Sequence, residues 1–210
     1  RGYPLWTKKR FVKICGHRHI ARWFAQDVLN GRHDNDFVSH TQSINYIECH
    51  DNYTAYDYGK YVLGLDEQSI LDGCRLGLQI IAISYGAAFY HAGQEFYRTK
   101  QGEENSYKSN DDINVYDEAR KQKYMEDIKG LASLLKIRKK YPEFRIDNAT
   151  IIERRVEPIS NLCTNNTLVY TIKGVNHKFS VVIKNNKELF DFYHHYHVIR
   201  TTQRDVKLFR

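Results

Sequence analysis

Three polar residues in a row, His50, Asp51 and Asn52, close the run Ile44-Asn45-Tyr46-Ile47-Glu48-Cys49. A second short apolar run, Ala87 to Ala92, carries His91 near its end and leads into Gly93, Gln94 and Glu95. A carboxylate beside an imidazole can grip adjacent sugar hydroxyls through charge-assisted hydrogen bonds. It can also stabilise positive charge at a reacting carbon, which cleavage of a glycosidic bond develops. A His-Asp pair taken alone equally suits a cap or a turn, so the elements that position it decide its meaning.

Thr41 to Cys49 reads as a strand, with Ile44, Tyr46 and Glu48 on one face and Asn45, Ile47 and Cys49 on the other. Apolar groups on both faces suit a strand covered from both sides. Glu48 is the misfit, and the spacing predicts a carboxylate paired inside a barrel or at its rim. Residues 53–67 read as a loop. Gln68 to Tyr85 predicts a deeply packed helix, because Leu71, Cys74, Leu78 and Ile81 recur at three- and four-residue spacing while Ile80 and Ile83 widen the apolar face. Gly86 is its expected stop. With Ala87–Ala92 as a second strand, the order strand, helix, strand predicts a parallel pair. In such folds chemistry gathers at the C-terminal strand ends, where His50, Asp51, Asn52 and His91 stand.

A long polar stretch follows, GQEFYRTKQGEENSYKSNDDIN, and a loop of that length in a compact domain is usually functional. A helix is expected from about Asp117 to Lys140, with Tyr124, Ile128, Leu131 and Leu135 along one stripe and Pro142 as its stop. From Asp147 the texture turns to short strand-like runs, IIERRV, LVYTI and FSVVI, parted by turn residues. A domain boundary is expected near residues 144–149. Residues 1–40 show no sustained period and read as loop with some helix.

The chain has 210 residues, 41% of them hydrophobic, which suffices for one or two domains with a real core. Its net charge of +7 raises nucleic-acid binding. The basic residues are scattered apart from KKR at 8–10 and KIRKK at 136–140, so no nucleic-acid partner is expected. No apolar run reaches about 18 residues, and no membrane span is expected. The four cysteines, Cys15, Cys49, Cys74 and Cys163, form no CxxC pair, so a zinc signature is missing. His194, His195 and His197 alternate between faces in a strand and read as surface histidines. The sequons at Asn52, Asn148 and Asn165 are read as unused. A reducing compartment fits, and the expected location is the cytoplasm, with secretion or the cell surface as the alternative. The opening residues lack a signal-peptide core and an initiator Met, which reads as a piece of something longer.

The combination INYIECHDN, helix, SYGAAFYHAGQEFYRTKQGEENSYKSNDDIN resembles type I pullulanases, debranching enzymes of the α-amylase superfamily (glycoside hydrolase family 13). The family's seventh barrel strand carries an aromatic residue, three residues, then His-Asp, matched by Tyr46, His50 and Asp51. Its eighth-strand motif is matched by Gly86 to Asn114, with Ala88 where the family usually has proline. Val115 and Tyr116 depart from the aspartate and tryptophan common there. The likeness is strong over residues 41–115 and looser to about residue 185.

The resemblance implies the C-terminal portion of a (β/α)8 TIM barrel over residues 1–146 and a small antiparallel β-sandwich domain over 147–210. It implies a retaining hydrolase of α-1,6 linkages in pullulan, glycogen or starch, with no cofactor and no metal. Asp51 matches the transition-state-stabilising carboxylate and His50 its substrate-binding neighbour. Tyr46, Arg98, Asn105 and Tyr107 match sugar-contacting positions, and Glu95 a structural one. The family's nucleophile and general acid belong to its fourth and fifth strands, which nothing here resembles. A full barrel takes about 250 residues. The chain is therefore expected to be an inactive fragment whose partners are an α-glucan and the missing front half of the enzyme. A non-catalytic α-glucan-binding module is the alternative. Reading the gene upstream of Arg1 tests the choice: an aspartate nucleophile and a glutamate acid should appear in frame, and an upstream region without them leaves the binding module.

Overall fold

The structure, a computed structural model, describes residues 44–159, 167–185, 194–202 and 205–207. The expected loop and helix of residues 1–40, and the first residues of the Thr41–Cys49 strand, lie outside them. Strand β1 (Ile44–Asn45) pairs in parallel with β2 (Ala87–Ala88), in the register Ile44↔Ala87 and Asn45↔Ala88. Helix α2 (Glu67–Ile83) makes the crossover between them. The strand-helix-strand grammar is thus realised, with ladders shorter than the sequence pattern predicts. The ladder ends at Asn45, whose side-chain amide donates to Tyr85 O at 2.5 Å, and the chain bends at Ile47. The bend lets Glu48 turn inward instead of continuing the pleat.

The expected loop 53–67 holds a short helix α1 (Ala55–Asp57) that runs into a π-helical turn, Tyr58–Val62. Thr54 caps it, its hydroxyl accepting from Asp57 N at 3.0 Å. One turn is too short to show a period, which is why the pattern missed it. Helix α2 begins one residue before the expected start because Asp66 caps it, accepting from Ser69 N at 2.9 Å and from the Ser69 hydroxyl at 2.6 Å. Leu71, Cys74, Leu78 and Ile81 are all buried, together with Ile80 and Ile83. The helix ends at Ile83, before the expected stop, because Ser84 is already extended; Gly86 follows at φ +94°, a left-handed turn position just ahead of β2.

The long polar stretch folds into short helical turns, Gln94–Phe96, Ser106–Lys108 and α3 (Asp111–Asn114). Gly93 is required here: its φ is +92°, and a Cβ would stand 2.8 Å from Arg98 Cδ. The single helix expected over 117–140 is two, α4 (Glu118–Lys123) and α5 (Met125–Lys140), broken at Tyr124. The Tyr124 ring is buried and packs edge-on against Tyr97 at 4.9 Å. Pro142 opens a tight turn after α5, as a helix stop should. Arg138 of α5 satisfies carbonyls that the end of α2 leaves unpaired, donating to Ala82 O, Ser84 O and Gly86 O at 3.3, 2.6 and 2.7 Å.

The run IIERRV is not a strand at its start. Residues Ala149–Arg155 form helix α6, capped by Asn148, whose side chain accepts from Ile151 N at 3.0 Å. The β-branched residues suggested a strand, but the cap and the full burial of Ile152 outweigh that propensity. Strands β3 (Val156–Pro158), β4 (Thr167–Lys173), β5 (Lys178–Asn185), β6 (His194–Thr202) and β7 (Asp205–Lys207) then form one antiparallel sheet in sequence order. LVYTI and FSVVI fall on β4 and β5 as expected, and the three histidines fall on β6. A second sheet facing this one is not among the described residues. Phe179 of β5 packs against Tyr141 and Phe144, each ring pair at 5.0 Å, which joins the sheet to the end of α5. Among the described residues no helix is long and apolar enough to cross a membrane.

The Asp66 cap generates a prediction. Asp66→Ala should destabilise the chain by about 1 kcal/mol in urea unfolding near neutral pH. Hydrogen bonds from the Ser69 hydroxyl and amide hold the Asp66 carboxyl below the usual aspartate range. A depressed folded value means the contribution is complete above the unfolded value, about 3.9, and is lost as pH falls through the folded one. The difference between Asp66→Ala and the unaltered chain should therefore shrink at pH values below that range. A gap that stays constant would remove the ionised cap as its source.

Candidate functional site

Glu48 sits where the polypeptide leaves β1. It is 5% exposed, and both its oxygens are used. One accepts from Ala55 N, the first residue of α1, at 2.6 Å. The other lies 3.0 Å from His91 Nδ1, just past the end of β2. The expectation of a paired carboxylate is met, and the pairing brings the ends of both strands together. His91 is held from its backbone too, its N–H donating to Gln94 Oε1 at 3.2 Å. With a carboxylate as acceptor, the bond is made by the His91 tautomer that carries its proton on Nδ1.

Beside this pair opens a cleft of about 490 Å³. His50, Asp51 and His91 line one part of it; Arg98, Asn105 and Tyr107 line another; Lys100, Ser106 and Asn114 complete the wall. Five of the six residues singled out from the sequence thus meet at one place. Tyr46 is the exception. It is half-buried, stacks edge-on against Phe89 at 5.9 Å and is not among the lining residues. Burial raises its hydroxyl pKa, with the neighbouring Cys49 and Asp51 adding to the shift.

The two groups expected to meet a ligand face outward. The His50 and Asp51 side chains are 82% and 65% exposed, with Nε2 and Oδ1 3.4 Å apart. Tyr107 is 76% exposed, an aromatic face at the cleft edge. Arg98 is held in place, donating from Nη2 to Asn114 O at 2.9 Å and lying 5.1 Å over the Tyr116 ring. Asn114 in turn donates to Ser106 O at 2.8 Å and Ser109 O at 3.1 Å, which folds the loop back on itself. Open hydrogen-bonding groups beside an exposed ring suit a polyhydroxylated ligand, whose hydroxyls and apolar ring faces need both.

Four wall residues, His91, Lys100, Ser106 and Asn114, were not assigned from sequence. His91 carried a signal, its place beside the end of the second strand. Lys100 lies within the RTK element of the long polar stretch. It is 1% exposed, and its burial lowers its pKa from the usual lysine range, an effect opposed by the Glu48 and Asp57 carboxylates. Among the described residues, Cys49, His50 and Asp51 place possible metal-ligand atoms within 4.8 Å of one another. The Lys100 ammonium already binds the backbone carbonyls of His50 and Asn52, so the turn has its local positive charge.

No family model matches the chain. A pullulanase of Bacillus subtilis (strain 168) is 43% identical over 118 residues, which are 56% of this chain and 16% of the relative. Pullulanase 1, chloroplastic, of Arabidopsis thaliana is 39% identical over 80 residues, 37% of this chain and 8% of the relative. Among solved structures, pullulanase type I from B. subtilis str. 168 complexed with maltose matches with a TM-score of 0.71 and 30% identity, over 81% of this chain and 25% of that one. Pullulanase from Anoxybacillus sp. LM18-11 complexed with maltotetraose matches at 0.65 and 34%, over 70% of this chain and 22% of that one. In sequence and in fold the chain is thus similar to one class of enzymes, the pullulanases. Within that class the chain is a relative of the type I pullulanases. It spans less than a fifth of the length of the curated relatives it matches.

The Glu48 pairing can be tested directly. Glu48→Ala leaves a buried N–H at Ala55 and an unpartnered His91, and should destabilise the chain by about 2–4 kcal/mol in urea unfolding. Glu48→Gln keeps one acceptor and should lose less than half of that. Equal losses in the two variants would mean that neither the volume nor the single acceptor that Gln keeps matters, and that the carboxylate itself is what Glu48 contributes.

Proposed function

We propose that this chain forms part of the substrate rim of a retaining glycoside hydrolase that debranches α-1,6 linkages in pullulan, glycogen or starch. The observation that carries the reading is the exposed His50–Asp51 pair at the mouth of a cleft walled by His91 and the long polar loop. The relatives are pullulanases, and two of the similar structures hold maltose and maltotetraose. In this reading β1 and β2 are the seventh and eighth strands of the barrel, and the antiparallel sheet belongs to the domain after it, from about residue 147. Asp51 binds and distorts the sugar at the reacting site and steadies the positive charge of its transition state. His50 holds a neighbouring hydroxyl. Arg98, Asn105 and Tyr107 order or contact sugars along the loop, while Tyr46 supports the rim from behind. The nucleophile and the general acid come from the rest of the enzyme.

A second reading, an α-glucan-binding surface without chemistry of its own, is favoured by one observation. Among the described residues Asp51 is the one carboxylate lining the cleft. Retaining hydrolysis takes two, about 5–5.5 Å apart.

An assay of the full-length gene product on pullulan, with Asp51→Asn beside it, separates the readings. Asp51→Asn should lower kcat by about a hundredfold or more while the protein stays folded. Undiminished hydrolysis would remove Asp51 from the reaction. A full-length product that binds maltotriose and hydrolyses nothing would leave the binding surface.

A further inference from the structure

We propose that Lys100 is the positioning residue of the His50–Asn52 turn: its buried ammonium grips the carbonyls on either side of Asp51 and so sets where that carboxylate stands at the cleft. Its Nζ donates to Asn52 O at 2.7 Å, His50 O at 3.2 Å and Glu104 O at 3.3 Å. An ammonium has three donors and no acceptor, and all three are used. Two of the acceptors bracket Asp51; the third lies four residues on in the polar loop that carries Lys100 itself.

The side chains of the turn do little to fix it. His50 and Asp51 touch each other at 3.4 Å and otherwise face solvent. Cys49 adds a contact from Sγ to Asp51 O at 3.7 Å, a weak one for a thiol donor. Asn52 stands at φ +63°, a left-handed value that asparagine adopts more readily than most residues other than glycine. The hold comes from the backbone side, where Lys100 is.

The lysine is itself anchored. Its backbone N–H donates to Asp57 Oδ2 at 2.6 Å, and the Thr99 hydroxyl donates to the other oxygen of the same carboxylate. Asp57 is fully buried in α1, whose cap Thr54 follows Asn52 by two residues. The polypeptide therefore leaves the turn, enters α1, and returns through Asp57, Thr99 and Lys100 to the carbonyls it left. Removing an ammonium from water costs several kcal/mol, which an apolar side chain of similar volume would avoid. A lysine at this depth is explained by the three carbonyls it holds.

The functional consequence rests on the glucan reading proposed above; the clamp itself does not. Lys100→Met keeps the aliphatic stem and deletes the donors. Hydrogen exchange of residues 49–53 in the 210-residue chain, with maltotriose binding measured in parallel, tests the clamp. In Lys100→Met, exchange at residues 50–53 should quicken by about tenfold or more, with α2 unchanged, and maltotriose affinity should fall by a similar factor. Lys100→Arg, which keeps charge and donors, should recover part of both. A folded Lys100→Met with unaltered exchange at residues 50–53 overturns the proposal. If exchange responds but the unaltered chain binds no maltotriose, the clamp stands and the glucan reading of the cleft falls. Should Lys100→Met fail to fold, acetylation of the unaltered chain decides. Lys100 must then be among the last lysines to react, and modification as fast as that of the exposed Lys129 overturns the clamp.

Discussion

A carboxylate taken out of water is stable only if its oxygens find donors, and that requirement shapes the ends of both parallel strands. Glu48 meets it with the first N–H of α1 and the ring of His91. Three segments that are distant in sequence are thereby brought to one point: the exit of β1, the start of α1 and the turn after β2. Asp57 repeats the device one layer away, collecting Thr99 and the backbone of Lys100. The exposed groups of the cleft stand on this buried polar frame. Neither carboxylate is free to face a ligand, which leaves Asp51 to do so.

Behind the frame, packing holds the strands from the other side. Gly77 of α2 has no side chain, and Ile47 fills the space: a Cβ there would lie 2.9 Å from Ile47 Cδ1. Ile47 is the residue before Glu48, so this close contact fixes the height at which the chain turns inward. Arg138 ties the end of α2 to Gly86 at the entry of β2, and the Tyr85 hydroxyl reaches Glu143 O at 3.0 Å. The Tyr141 and Phe144 rings then seat the antiparallel sheet. The cleft is thus the polar end of a continuous packed body.

The kinship with pullulanases agrees with this division of labour. A carbohydrate ligand asks for several hydrogen-bonding groups at once and for an apolar ring face to lie against. Asp51, His50, Asn105 and Tyr107 offer these from the turn and from the long loop. The loop is not loose. Gly93 permits its first tight turn, and Asn114 closes it by binding the carbonyls of Ser106 and Ser109. A segment that looked structureless for want of a period is ordered by side-chain contacts to its own backbone.

The amino-acid sequence by itself determined helix α2, the parallel order of the strands flanking it, and strands β4 and β5, while the resemblance to pullulanases singled out His50, Asp51, Arg98, Asn105 and Tyr107, which the structure brings to one cleft. Each of these rests on local information: period, caps, turn residues, or a motif at fixed spacing. It also led to Glu48 being read as a paired carboxylate. It did not show with what, because His91 lies 43 positions away. Nor did it show α1, the break at Tyr124 or the helical start of IIERRV, where one cap or one buried ring outweighs propensity. Tyr46 shares the motif with Asp51, but it stands one step past the Asn45↔Ala88 pair and meets Phe89 across the strands. Only the tertiary structure decided that Lys100 is buried beneath a turn 50 residues earlier. Such pairings arise when the chain closes on itself and every buried charge must find partners wherever the fold has brought them.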